Sequence, residues 1–318
     1  MAVKQKDIAE KLGVSIALVS RVLSGKAEEI GIAPDTIRRV LEAASEMGYV
    51  PSAAALSLKG KATRTIGVVV YDFKDPFFGA IVEQLLVQAH EHGYSLVLTG
   101  FINRTPQEED LQPLYKHAID GLIVIGTDFD TRWLENFHHI PVTRIGHGNE
   151  NEQSVRISVD EKAAADLLIQ HLMDTGKTNP LFVCMDLPAH HRRRDIFVRV
   201  AESKGVILKT VMMSERTAFA AGKQAAQQII AADTLICATD RIAMGALNTL
   251  CGKDISIPSQ IAVTGFDDIP AAAQFIPAIT TIRQPIEKIV AQAFSAVINA
   301  KNTEKILLPV ELIVRQTA

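Results

Sequence analysis

The sequence predicts an N-terminal all-α unit followed by an α/β core of two doubly wound parallel-sheet subdomains, and three observations carry that prediction. The first 50 residues show helical periodicity and no strand-like run. After residue 65, short apolar runs (TIGVVVYD, SLVLTGF, DGLIVIGTD, IPVTRIG, NPLFVCMD, TLICATD, IAVTGFDD) alternate with amphipathic stretches at 79–92, 161–175 and 218–231. Strands that lack polar alternation belong in a parallel sheet covered by helices on both faces. The runs also outnumber the strands of one ordinary sheet, so two sequential subdomains with a cleft between them are the economical arrangement. With 318 residues, 47% of them hydrophobic, there is ample material for such cores.

Taking the elements in order, KQKDIAEKLG places Ile8, Ala9 and Leu12 on one helical face, and Gly13 supplies a turn. Ser15 is placed to cap a second helix holding Val19, Val22 and Leu23 on its inner side. Two short helices joined by a glycine turn form a helix-turn-helix, whose second helix exposes Ile16, Ala17, Ser20 and Arg21. A third helix starts near Pro34 and lines up Ile37, Val40, Leu41, Ala44 and Met47 to close a three-helix core. The predicted helical unit spans 1–50. Residues 51–62 follow as a linker with strong helix formers but no partner face, too short to hold a helix unless something packs on it.

The core is expected over 63–318, with one subdomain at 63–156 and 285–311 and the other at 157–284 and 312–318. Ligands in such folds sit at the carboxyl ends of strands, which points to Asp72, Thr127, Gly146, Asp240 and Asp267 as neighbours of a pocket, Asp240 as a helix cap. Formal net charge is −3, yet residues 1–62 hold nine Lys/Arg against seven Asp/Glu and the remainder 24 against 29, the sign of asymmetry expected of a DNA-binding headpiece. Cys184, Cys237 and Cys251 lack CxxC spacing and are expected as buried free thiols. The charged, amphipathic opening and the absence of any apolar run near ~18 residues predict a cytoplasmic protein without a membrane partner.

DIAEKLGVSIALVSRVLSGK, followed by TIRRVLEAASEMGYVPSAAALSLKGK, resembles the headpiece and hinge of the lactose/galactose repressor family. The resemblance continues in family order through IGVVVYDFKDPFFGAIVEQ, IDGLIVIG, IPVTRIG, ATDRIAMGAL, IAVTGFDDIP and ITTIRQP. It implies a periplasmic-binding-protein-like type I core, a homodimer on a pseudo-palindromic operator in double-stranded DNA, and a small-molecule effector that modulates a transcriptional regulator, expected to be a repressor. Ile16, Ala17 and Arg21 match base-reading positions, and Thr36 a phosphate-contact position. In the hinge, Leu58 matches a minor-groove wedge, flanked by Lys59, and Ala55 is small enough for two hinges to touch. The connection GKAEEIGIAP is longer than the usual family form.

By the same resemblance Arg193 and Asp267 match positions that bind effector polar groups, Phe77 and Phe78 positions that pack on it, and Gln284 completes the set. Arg144, His147 and the Arg192–Arg194 run favour an anionic effector such as a sugar phosphate, with a neutral sugar close behind. Ile125, Gly146 and Thr217 stand where some sugar-binding members carry polar or aromatic groups, so the ligand cannot be copied from relatives. No cofactor, metal or enzymatic role is expected. Gly146–Gly148 is followed by NENEQ rather than a helix, and His138–His139 and His190–His191 lack metal spacing. The competing classes are a periplasmic-type sugar-binding module, disfavoured by the helix-turn-helix and the missing leader, and an α/β enzyme, disfavoured by the missing phosphate loop. The chain ends after KILLPVELIVRQT without a heptad segment, so a dimer rather than a tetramer is expected.

Overall fold

Two units, Met1–Thr63 and Arg64–Ala318, make up the protein in a computed structural model. It describes residues 3–50, 56, 60–101, 104, 106–126, 131–148, 152–228, 232–253, 255–301 and 303–318. In the first unit the helices are α1 (Gln5–Leu12), α2 (Ile16–Leu23) and α3 (Pro34–Glu46). Gly13 ends α1 at φ 67, a left-handed conformation that a side chain resists. Ser15 Oγ then accepts the Leu18 N–H at 3.1 Å and starts α2. Ile8, Val19 and Val40 are fully buried between the helices, with Ala9, Val22, Ala27, Ala43 and Ala44 around them. Leu41 departs from the expected stripe and is half-exposed, while Ala43 turns inward. Val40, Ala43, Ala44 and Met47 centre the buried face, and Leu41, about 100° around the helix from Val40, lies at its margin.

The expected hinge falls largely outside the described residues, and Ala55, Leu58 and Lys59 with it.

The second unit contains two six-stranded sheets among its described residues. The first has the order β2 (Ser95–Gly100), β1 (Thr65–Val70), β3 (Gly121–Ile125), β4 (Val142–Ile145), β5 (Val155–Val159), β11 (Lys305–Leu308), with every neighbouring pair parallel. The second runs β7 (Lys209–Met213), β6 (Pro180–Met185), β8 (Thr234–Cys237), β9 (Ala262–Asp267), β10 (Thr280–Arg283), β12 (Glu311–Ile313), and only β12 is antiparallel to its neighbour. β1, β3 and β4 are buried along their whole length, as their apolar runs require, and the edge strand β2 is half-exposed. In each sheet the strand order reverses once beside the first strand, between β1 and β3 and between β6 and β8. Those are the points where helices leave on opposite faces and a crevice opens beyond the strands' carboxyl ends.

The chain passes between the sheets three times, at Val159–Glu161, Arg283–Ile286 and Leu308–Glu311. The first passage lies three residues past the expected boundary, because β5 stays in register with β11 as far as Val159↔Leu308. The third divides KILLPVELIVRQT, which reads as one strand, into β11 in the first sheet and β12 in the second. Pro309 lies at the break and has no N–H to continue a ladder. Cys184 and Cys237 are buried as expected, but Cys251, at the end of its helix, is exposed. Among the described residues no helix is long and apolar enough to cross a membrane.

Candidate functional site

In the first unit, Ser15, Ile16, Ala17 and Arg21 are exposed together on the outer side of α2, with Ser20 partly covered between them. Ser15 spends its hydroxyl on the helix cap. Val19 and Val22 anchor the opposite side of the helix in the core, so the outer face is fixed in orientation and open to a partner. Thr36, in the first turn of α3, is partly exposed, and its N–H donates to Ala33 O at 2.9 Å.

In the second unit a cavity of about 160 Å³ lies beyond the carboxyl ends of both sheets, at their two reversal points. Tyr71 and Asp72 reach it from the end of β1, Gly126 from β3, Gly146 and His147 from β4, Leu187 to His190 from beyond β6, and Thr239 from beyond β8. Gly126 adopts φ 115, and a Cβ there would come within 2.7 Å of the Tyr71 side chain. Phe77 and Phe78, at the start of the helix α4 (Pro76–Glu91), form an apolar wall with ring centroids 6.0 Å apart. Asp75 caps that helix, its Oδ1 accepting the Phe77 N–H at 2.9 Å, and burial raises its pKa.

The polar wall is built around Arg193. Its Nε donates to Glu161 Oε1 at 3.0 Å and one terminal nitrogen to Ala238 O at 2.5 Å, while the guanidinium lies 3.5 Å from the centroid of the Phe266 ring. Glu161 also accepts from Arg192 at 3.0 Å. Burial raises the Glu161 pKa against the pull of Arg193, and lowers that of Arg192 to about 9. Asp267 Oδ1 accepts from Gln284 Nε2 at 2.8 Å, and burial holds its carboxyl well above the usual range despite Arg193. Asp267 and Asp268 have φ of 119 and 55, which is unusual for residues with side chains, and backbone strain of this kind gathers at ligand-contacting turns. The turn is braced by Asp240, which accepts from Ile269 N–H at 2.8 Å and from Thr281 Oγ1 at 2.5 Å. Asp268 pairs with Arg283 at 2.7 Å and Arg315 at 2.6 Å on its other side.

Phe77, Phe78, His147, Arg193, Asp267 and Gln284 therefore meet at one cavity. Arg144 does not join them. It is fully buried, with Nε 2.8 Å from Glu152 Oε1 and a terminal nitrogen donating to Gly126 O at 2.9 Å. Of the residues expected at strand ends, Asp72, Gly146 and Asp267 line the cavity, Asp240 lies behind it, and Thr127 is outside the described residues. The cap of the Asp240 helix is Thr239, whose Oγ1 accepts from Ile242 N–H, and Thr217 likewise caps a helix by accepting from Ala220 N–H. Glu161 and His190 are cavity residues that sequence reasoning missed. A glutamate in a first helical turn is ordinary, and His190 stood out only as half of a pair without metal spacing. Among the described residues no group of three or more His, Cys, Asp or Glu is arranged to hold a metal.

Residues 4–52 match the family described as bacterial regulatory proteins, lacI family, and residues 169–318 match a periplasmic binding protein-like domain. The HTH-type transcriptional repressor PurR of Vibrio cholerae serotype O1 is 30% identical over 303 residues, which cover 91% of this chain and 88% of that one. The HTH-type transcriptional regulator GalR of Escherichia coli K12 is 28% identical over 302 residues, 91% of this chain and 86% of its own. In three dimensions the lac repressor dimer bound to operator and the anti-inducer ONPF matches 100% of this chain and 99% of its own, at a TM-score of 0.82 and 23% identity. A regulator from Enterococcus faecium with bound ribose covers 80% of this chain and 98% of its own at a TM-score of 0.72 and 21% identity. With a helix-turn-helix and a two-sheet core in the order those relatives share, the chain belongs to the lacI family of bacterial regulatory proteins.

Proposed function

We propose that the protein is a transcriptional repressor that grips operator DNA as a homodimer and is switched by a small neutral polyhydroxylated molecule, such as a sugar, held in the core cavity. Arg21 supplies a bidentate contact to guanine, while Ile16 and Ala17 contribute apolar contacts to thymine methyls. Thr36 contacts a phosphate. Dimerisation is supported by exposed apolar side chains on two neighbouring elements, Leu86 and Val87 on α4 and Leu98 on the edge strand β2.

The observation that carries the ligand class is that the cavity's arginines are already paired within the protein. Asp72, Asp75, Glu161 and Asp267 face the cavity against only Arg192 and Arg193, and both arginines are already paired with Glu161. Arg144 is committed to Glu152 and Arg194 to Asp195, so none of the arginines in the sequence-level case for an anion remains unpaired. Carboxyl groups hydrogen-bond hydroxyls in either protonation state, and with both arginines already paired the cavity offers a phosphate no uncommitted cation, while Phe77 and Phe78 suit the apolar face of a sugar ring. Thermal-shift titration of the intact protein with neutral sugars, sugar phosphates and purines tests this. A ligand at ~100 times its dissociation constant stabilises by about 2.7 kcal/mol, and the same ligand should change affinity for a selected operator duplex. A response to sugar phosphates alone would overturn the neutral-ligand assignment.

A further inference from the structure

His190 is a cavity side chain whose tautomer is set by the backbone. It occupies the first turn of the helix Pro188–Ser203, and is 6% exposed. Its Nδ1 accepts the N–H of Met185, the last residue of β6, at 3.1 Å. A ring nitrogen that accepts must carry a lone pair, so the neutral imidazole holds its proton on Nε2. No described residue accepts from Nε2, and the ring lines the cavity. Burial, reinforced by the neighbouring Arg193 charge, lowers its pKa to about 3, which keeps the ring neutral at physiological pH.

Asp75, Glu161 and Asp267 offer the cavity acceptors, and Arg193 has donors already engaged by Glu161 and Ala238. A neutral polyol presents lone pairs as well as hydroxyl protons. We infer that His190 is a specificity-determining residue of this cavity, its Nε2–H a fixed donor to a hydroxyl or ring oxygen of the bound molecule. The inference rests on the neutral-polyol reading above. A site built around a fixed donor rejects molecules that lack the matching acceptor, since the buried N–H is then left unpaired.

Two variants separate this role from a structural one. In His190→Asn the amide oxygen can replace Nδ1 as acceptor for Met185 N–H, but nothing reaches the Nε2 position. In His190→Gln the amide nitrogen reaches the Nε2 position, but the Met185 bond is lost. Wild type and both variants, as intact chains, are titrated calorimetrically with ribose, glucose, galactose and cellobiose, and melting temperatures are recorded without sugar. For the sugar that wild type binds, His190→Asn should lose about ten- to a hundred-fold in affinity while melting near wild type. His190→Gln should retain most affinity and melt lower. The reverse ordering, or equal binding by all three proteins, means that the ring merely secures the turn, and the inference falls while the neutral-sugar reading stands. If wild type binds none of the four sugars, that reading falls and the inference with it. Nitrogen-15 spectra of labelled histidine supply an independent check: His190 should show the Nε2–H tautomer without titrating between pH 5 and 8, and a protonated ring or the other tautomer overturns the assignment.

Discussion

Arginine is used in opposite ways in the two units. In the headpiece Arg21 stands exposed on α2, and no described residue accepts from its guanidinium. In the core Arg144 and Arg193 are buried, each tied to a carboxylate and to a backbone carbonyl. The exposed side chain keeps its donors for a partner that arrives from water, and adds little to the stability of its own fold. The buried ones have lost their hydration and depend on their pairs, so they set the stability and shape of the core. A charged residue's part in recognition therefore depends on whether its donors are still unspent, which its presence in a motif does not reveal.

The largest effect expected from this contrast is at Arg144. Arg144→Met would leave Glu152 buried without its cation, which costs about 3–5 kcal/mol. Urea unfolding of the intact protein should show the core transition move to much lower denaturant, and Arg144→Met combined with Glu152→Gln should recover part of the loss. A change below about 1 kcal/mol in the single variant would show that the pair is not a structural one.

Asp240 comes next, and its effect depends on pH. Burial raises its pKa to about 7, although it accepts hydrogen bonds from Thr281 and Ile269. The folded state thus holds a proton that the unfolded chain releases near 4. Its contribution to stability is fully present below that value and is lost as pH rises toward 7, at up to about 1.4 kcal/mol per pH unit. His190, with its pKa lowered to about 3, acts in the opposite sense and costs stability as pH falls below 6.5. The difference between proteins cancels the His190 term and reports Asp240 together with the push it exerts on Asp267. Asp240→Asn should gain on wild type steadily from pH 4 to pH 7 and run parallel to it above pH 8. A constant difference across that range would refute the shift.

The α/β architecture was legible because β1, β3, β4, β8 and β9 are buried along their length and so read as unbroken apolar runs. β5, β7 and β10 are not legible as apolar runs because they are short and carry Arg156, Ser158, Lys209, Thr210, Thr280, Thr281 and Arg283, residues that an edge strand or a crossing point tolerates. In the cavity, Phe77, Phe78, Arg193, Asp267 and Gln284 were legible from their places in family motifs. The commitment of Arg144 is not legible in the sequence, because its partner Glu152 lies on a loop eight residues away and no local pattern links the two. His190 needed the strand end at Met185, which only the folded chain supplies.

Arg21 tests the other side of the comparison with a smaller effect. Arg21→Ala should leave melting unchanged and cost about 1–3 kcal/mol of discrimination at a single G·C pair, read by selection from randomised duplexes. Retention of the same G·C preference would remove Arg21 from the reading face.

The smallest effect lies in the headpiece scaffold, where α2 and α3 begin differently. Ser15 caps α2 through its side chain, whereas Ala33 precedes α3 with extended backbone and no side-chain cap. In α3 the N–H groups of Thr36 and Ile37 converge on the single carbonyl of Ala33 at 2.9 and 3.1 Å. A serine at this position can accept from Thr36 through Oγ, and a cap of this kind contributes about 1 kcal/mol. Ala33→Ser should therefore slow amide exchange at Thr36 and Ile37 about five-fold, that energy converted to an opening equilibrium. Exchange in the core should not change, because Arg64–Ala318 forms a separate unit. Should protection rise equally in both units, the headpiece does not open independently of the core, and the contrast between an open reader and a locked core would need to be redrawn.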